Sequence, residues 1–209
     1  MRKITINLAA VAAFCIVVAS PTLVSSSCAT PQTEQEDTTI IREDLGITAL
    51  KYSSPEVPSS IEFCGKVIDL SRFDRHERMD RELLAFTYMH STSLQMLKKA
   101  NRYFPIVEPI LKENGIPDDF KYLMVIESNM NPTARSSAGA AGLWQFMQGT
   151  GRDYGLEVNN NVDERYHIEK ATRAACRYLK DAYAKYKDWV AVAASYNAGQ
   201  ARIASQLAK

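Results

Sequence analysis

Between residues 75 and 104 the apolar positions Met79, Leu83, Phe86, Met89 or His90, Leu94 and Leu97 recur at steps of three to five, with charged and polar residues between them. That spacing predicts an amphipathic helix over 75–104. A second, short helix is predicted over 105–115, with Pro105 near its start and Gly115 just past its end. Residues 117–128 (PDDFKYLMVIES) predict a third. Pro117 and Asp118-Asp119 suit its N-terminus, where unpartnered amides and the helix dipole favour carboxylates. Asn131-Pro132 halts it. A loop rich in Asn, Ser, Ala and Gly follows over 129–142, and a shorter helix is expected from Leu143. The stripe of Ile168, Ala171 or Thr172, Ala175, Leu179 and Ala182 predicts a long helix over 163–186. Residues 188–208 begin as a nearly all-apolar helix and are interrupted at Asn197-Ala198-Gly199. No alternating run predicts a strand and no repeat is evident, so the expected class is mainly α.

The N-terminal pattern is different. After Arg2-Lys3 comes an apolar run over 8–19, well short of the roughly 20 residues that span a bilayer. It suits the core of a secretory signal peptide over 1–27. LVSSSCAT (23–30) resembles a bacterial lipoprotein signal, in which Cys28 would become lipidated and N-terminal. Cleavage among the serines is the alternative. Lipidation with several acyl chains would hold the protein on a membrane, whereas a single chain would not. Residues 28–60 are polar, carry Pro31, Pro55 and Pro58, and read as a flexible tether. The division expected beyond is an N-terminal helical lead-in over 61–115 and a C-terminal domain over 116–209.

Composition narrows the function classes. At 209 residues, 46% hydrophobic and 23% charged, the chain can form one ordinary domain plus an extra segment. A formal net charge of +1 gives no reason to expect nucleic acid as a partner. From Glu164 onward Lys and Arg outnumber Asp and Glu by nine to four, which reads as a solvated helix face. Of the four cysteines, Cys15 lies in the signal and Cys28 is the lipid candidate. Cys64 and Cys176 remain. In an oxidising compartment these two could form a disulfide, contributing on the order of 4 kcal/mol by closing so long a loop, or they could be two separate buried thiols. His76, His90 and His167 are scattered without a paired ligand motif, so no metal is expected, and no cofactor.

The candidate chemistry centres on Glu127. Four apolar residues, Leu123 through Ile126, run directly into it. A carboxyl group at the end of a helix packed on several sides loses hydration, which raises its pKa towards what a general acid needs. A helix-end residue pointing to solvent is the other reading. Asp119 lies eight residues earlier, about 12 Å along a helix axis, and is no partner for it.

The surrounding residues sharpen this. Glu127-Ser128, Asn131-Pro132, the run from Ser136 through Gln145 (SSAGAAGLWQ) and Tyr196-Asn197-Ala198-Gly199 occur in the order seen in lytic transglycosylases of bacterial cell walls. The chain resembles the soluble-lytic-transglycosylase, goose-type-lysozyme-like superfamily, most closely its membrane-bound D type, over about 70–208. That resemblance implies a lysozyme-like helical fold with a glycan-binding groove, and 116–209 as the catalytic domain. It implies a single catalytic acid, Glu127, which protonates the glycosidic oxygen between N-acetylmuramic acid and N-acetylglucosamine. The substrate's own N-acetyl group would then assist, and Glu127 would take the C6 hydroxyl proton as a 1,6-anhydro ring closes. Tyr196 would hydrogen-bond and orient the carboxylate, and Ser136, Gln145, Met147 and Asn197 would contact the sugars. Peptidoglycan glycan strands are the expected partner, with the membrane a further one through a lipid anchor. A muramidase using water and a non-catalytic peptidoglycan-binding protein are the competing functions. Gln148 and Ser195 depart from the family pattern, which usually has proline and alanine there. Only ten residues follow Gly199, where the family generally continues with another helix, which leads to the expectation of either a partly open groove or a shortened form with reduced activity.

Overall fold

The structure of the protein, a computed structural model, describes residues 55–207. The predicted signal peptide, Cys28 and most of the predicted tether lie outside the described residues. From Pro55 onward the chain is mainly α, with seven α-helices and one small hairpin among the described residues.

The hairpin is the element that the hydrophobic pattern does not announce. Strands β1 (Ser60–Phe63) and β2 (Lys66–Asp69) pair antiparallel, with Ile61 opposite Ile68 and Phe63 opposite Lys66. In β1, Ile61 and Phe63 point inward while Ser60 and Glu62 point out. Alternation over four residues is too short a signal to stand apart from loop sequence. Cys64-Gly65 closes the hairpin with positive φ at both positions, 52° and 77°, the two-residue turn whose twist matches paired strands.

Helix α1 (Phe73–Tyr88) places Met79 and Leu83 against Ile61 and Leu70 in a small apolar cluster of its own. Helix α2 (His90–Glu113) follows after a break at Met89. Here the structure redraws the expected boundary. The pattern predicts one helix to residue 104 and a new one at Pro105, yet α2 runs through both Pro105 and Pro109. Each proline forfeits one helical hydrogen bond. Tyr103, Phe104, Val107, Ile110 and Leu111 nevertheless form one unbroken buried stripe, and its packing outweighs those losses. The break falls instead at Met89, whose amide donates to Ala85 O at 3.0 Å, while the Ser93 hydroxyl donates to the orphaned Phe86 carbonyl at 2.6 Å.

A 3₁₀ turn over Asp118–Phe120 leads into α3 (Lys121–Ser128). After a long loop come α4 (Gln148–Asp153), a second 3₁₀ turn (Glu164–Tyr166), α5 (Ile168–Tyr186), α6 (Trp189–Ala198) and α7 (Gln200–Leu207). The interruption expected at Asn197-Ala198-Gly199 falls at Gly199, with φ at 83°. Helix α6 buries Ala191, Val192, Ala193 and Ser195, and these small side chains let its backbone lie close to its neighbours. Asp188 caps it, accepting from the Val190 amide at 2.8 Å.

The main core joins α2, α3, α5 and α6 around Phe104, Phe120, Leu123, Met124, Trp144 and Leu179. The hairpin belongs to this core through Phe63, whose ring lies 6.0 Å from that of Phe120; Phe120 in turn meets Trp189 edge-on at 5.3 Å. The Cys64 amide donates to Asp119 Oδ2 at 2.6 Å, and Lys66 pairs with Asp188 at 2.9 Å. The hairpin thus touches the start of the helix bearing Glu127 and the start of the helix bearing Tyr196.

Candidate active site

Helix α3 is short and deeply set. Tyr122, Leu123, Met124 and Val125 are all buried, and Glu127 stands half-buried in the last turn. No side-chain or backbone group among the described residues hydrogen-bonds its carboxyl group. Burial pushes its pKa from an ordinary 4.5 to about 7, and no neighbouring charge contributes to that rise. The acid is therefore solitary. It can hold a proton near neutral pH and release it to a group brought against it.

Helix α3 ends at Ser128, where the pattern places its end, and the backbone there is turned by Asn129 and Met130, both left-handed at φ 48° and 54°. Asn tolerates that conformation readily, and its amide donates to Val125 O at 2.9 Å. Met130 is fully buried. Core packing thus holds Met130 in a backbone state that costs an unbranched residue something of order 1 kcal/mol.

Tyr196, in the last turns of α6, comes close enough for the Glu127 charge to act on it. Burial pushes its phenol well above the usual range, and Glu127 and Tyr178 add to the shift. Its hydroxyl, however, donates to the Trp144 carbonyl at 2.7 Å and not to Glu127. That corrects the expected hydrogen bond. The phenol is tied to the loop. An edge-on contact with Tyr178 at 5.1 Å and a tilted one with Phe146 at 6.4 Å fix the ring plane.

The loop between α3 and α4 is folded more tightly than its composition suggests. Ala141 and Phe146 exchange two backbone hydrogen bonds, 3.0 and 3.2 Å, around a turn with Gln145 at φ 48°. This turn is why α4 begins at Gln148 rather than at Leu143. The Gln145 amide nitrogen donates to Gly142 O at 2.8 Å and Ala134 O at 3.3 Å. Gln145 is thus a brace inside the loop, with its donors already committed. Ser136 Oγ accepts from the Ala140 amide at 3.0 Å, closing its own turn and leaving its hydroxyl proton for another acceptor. Met147 is 46% exposed at the mouth of α4, as a groove wall would be, and Asn197 is exposed at the end of α6. No side-chain hydrogen bond joins Ser136, Met147 or Asn197 to Glu127 among the described residues.

Two residues that the pattern misses hold this loop. Trp144 is fully buried, and its indole N–H donates to Thr172 Oγ1 at 3.0 Å, which itself donates to Ile168 O at 2.7 Å. Arg165 is only 4% exposed. Its guanidinium makes a two-pronged pair with Asp163 (2.9 and 2.7 Å) and donates to Gly139 O at 2.8 Å and Phe146 O at 3.0 Å. These bonds hold the Asp163 carboxyl below its usual range. In the sequence Arg165 counts towards a solvated basic face within a helix from 163, and the structure corrects both: the helix begins at Ile168 and Arg165 is interior. The Asp163-x-Arg165 spacing is the only local signal. It fits a two-residue ion pair but says nothing of the carbonyls 19 and 26 residues upstream. Gly142 lets the Arg165 backbone approach: with φ at 77°, a Cβ there would run into the Arg165 carbonyl, its carbon only 2.9 Å away.

The disulfide option is corrected as well. Cys64 and Cys176 are both free thiols. Cys64 sits in the hairpin turn against Asp119, while Cys176 lies in the middle of α5 with its sulfur 4.0 Å from Ile110 O. Burial and the Asp119 charge push the Cys64 thiol up, and burial pushes Cys176 up to about 11, so neither is a ready nucleophile.

The chain is similar in sequence to known proteins. The sequence model of the Transglycosylase SLT domain family matches residues 105–209. The membrane-bound lytic murein transglycosylase D of Escherichia coli (strain K12) is 31% identical over 128 residues, which is 61% of this chain and 27% of that protein. The peptidoglycan transglycosylase gp16 of Escherichia phage T7 is 33% identical over 93 residues, 43% of this chain and 7% of that protein. The chain spans about a quarter of the length of the first of these relatives.

Proposed function

We infer the activity from one premise: the chain belongs to the transglycosylase SLT domain family. It is a peptidoglycan lytic transglycosylase that cleaves the β-1,4 bond between N-acetylmuramic acid and N-acetylglucosamine and leaves a 1,6-anhydro end. The observation that carries this reading is the solitary Glu127, with a pKa of about 7 set by burial. A hydrolase working through two carboxylates needs the second close enough to act on the first. No such carboxylate contributes to the shift of Glu127.

A single group suffices if it works twice. Protonated Glu127 gives its proton to the glycosidic oxygen as the C1–O bond breaks. The N-acetyl oxygen of the muramic acid bonds to C1 and carries the positive charge. Glu127, now a carboxylate, takes the proton from the C6 hydroxyl as that oxygen bonds to C1 and releases the N-acetyl oxygen. The acid is thereby restored. A pKa near 7 suits both halves, since it is the compromise between giving and taking a proton at neutral pH. Tyr196, held by Trp144, positions the acid's surroundings. Ser136, with its free hydroxyl proton, and Asn197 offer hydrogen bonds to the sugars, Met147 a wall, and Gln145 holds the loop in shape.

The relative's name, membrane-bound lytic murein transglycosylase, fits the N-terminal signal and a lipid on Cys28. On this reading the protein is exported and anchored through that cysteine. No helix among the described residues is long and apolar enough to cross a membrane.

The test is the product. Purified mature protein is incubated with sacculi and the soluble muropeptides are weighed by mass spectrometry. The expected fragments lack one water at the muramic acid end, and Glu127→Gln releases none of them. Reducing muramic acid ends would show a hydrolase instead. Undiminished release by Glu127→Gln would remove Glu127 from the chemistry.

A further inference from the structure

Beside the acid's helix lies a polar cavity of about 270 Å³ that the cleavage chemistry does not use. Helix α2 supplies Thr92, Gln95 and Lys99 to it, three residues on one helical face. The chain just after Glu127 supplies Ser128, Asn129 and Asn131. The Lys99 ammonium donates only to the Asn129 carbonyl, at 3.3 Å. No carboxylate pairs with it among the described residues. The side chains of Thr92, Gln95 and Asn129 make no hydrogen bond with the described residues. A cation without a counter-ion and three unengaged polar side chains thus line one hollow, beginning a single residue from the acid.

This is the lining that a carboxylate with neighbouring amides would satisfy. The hollow is smaller than the roughly 300–1,000 Å³ of most ligand sites, so it suits the end of a substituent rather than a run of sugars. Peptidoglycan carries such substituents: short peptides, with free carboxylates, on its muramic acid residues. Thr92, Gln95 and Lys99 also precede the segment that the family's sequence model matches, so this wall is supplied by the chain's own lead-in helix.

The geometry points to a subsite for the peptide borne by the glycan. Lys99 pairs with a peptide carboxylate while Gln95, Thr92 and Asn129 hydrogen-bond the flanking amides. This rests on the glycan-cleaving reading above for the identity of the polymer. The subsite lets the enzyme sort peptide-bearing strands from stripped ones.

The experiment measures binding in the non-cutting Glu127→Gln background, so that it reads out whether or not the parent cleaves. Affinity is compared, with and without Lys99→Gln, for peptide-bearing glycan strands and for the same strands stripped by an amidase. Lys99→Gln should weaken binding of peptide-bearing strands by about fivefold or more, the loss of one charge-assisted contact, and leave stripped strands within about twofold. The difference should shrink at high salt. Equal weakening on both polymers, or none on either, overturns the subsite. Lys99 is in contact with solvent, and an unchanged melting temperature confirms that the variant is folded. Anhydro-product analysis of the parent tests the cleavage reading separately.

Discussion

Replacing Glu127 by glutamine should stabilise the protein above neutral pH even as it abolishes cutting. Glu127 is an acid that the fold would prefer to keep neutral: its pKa rises from 4.5 to about 7 through burial. In the unfolded chain the carboxyl group loses its proton near 4.5, and in the folded chain near 7. Between those values the folded state holds more protons, so stability falls as pH rises through that window and stays reduced above it. A tenfold change in proton affinity is worth about 1.36 kcal/mol, which sets a ceiling of about 3.4 kcal/mol on the effect. Glu127 is half-buried and water still reaches it, so the realised penalty is about 2 kcal/mol. Glutamine has nearly the same shape and no proton to lose. For a body of about 150 residues, 2 kcal/mol corresponds to roughly 4–8 °C in melting temperature. Paired melts of parent and Glu127→Gln should therefore coincide near pH 4 and separate progressively to about pH 8, with glutamine the more stable. A gap that stays constant with pH would mean that Glu127 titrates normally in the folded protein. The account of a buried, proton-holding acid would then be wrong.

The loop clamp yields two more expectations. Arg165→Lys keeps the charge but cannot serve Asp163, Gly139 O and Phe146 O at once, so stability should drop by about 3 kcal/mol in a thermal or denaturant melt. A melt within error of the parent would show the clamp to be dispensable. Gly139→Ala and Gly142→Ala should differ sharply although both positions have positive φ, 92° and 77°. A Cβ at Gly139 meets nothing within 4 Å and costs only the backbone strain, about 1 kcal/mol. At Gly142 it runs into the Arg165 carbonyl, and soluble yield and activity should both collapse. Equal losses at the two glycines would sink that distinction.

The long helices are legible in the sequence because their apolar residues repeat over many turns: Ile168 to Ala182 reads as one stripe and is one in α5. Boundaries are less so, since they depend on what a helix packs against. Pro105 and Pro109 look like breaks, but the buried stripe from Tyr103 to Leu111 carries α2 through both, and the true break at Met89 has no strong local signal. The hairpin over 60–69 escapes for want of length. In the candidate site, Glu127 is legible as a carboxylate at the end of an apolar helix, because desolvation follows from the residues beside it. What that sequence segment hides is how its helix ends, since left-handed Met130 is held there by core packing rather than by any preference of its own. Arg165 is illegible for a related reason. A charged residue reads as surface until the carbonyls that receive it are known, and those lie in another segment of the chain.

The hydrogen bond of Tyr196 to Trp144 O changes what holds the site together. A phenol bound to Glu127 would report directly on the protonation of the acid. A phenol bound to the loop instead couples three segments, because Trp144 is anchored to Thr172 on α5, and the same loop is gripped at Gly139 and Phe146 by Arg165. Displacement of any one of these would therefore shift the loop relative to Glu127 without touching the carboxyl group itself. In the proposed chemistry, where a single carboxylate first gives and then takes a proton, a misplacement of about 1 Å is costly, on the order of a hundredfold in rate. The interior bonds of Arg165, Trp144 and Tyr196 thus bear on catalysis as much as on stability, although none of the three supplies the proton.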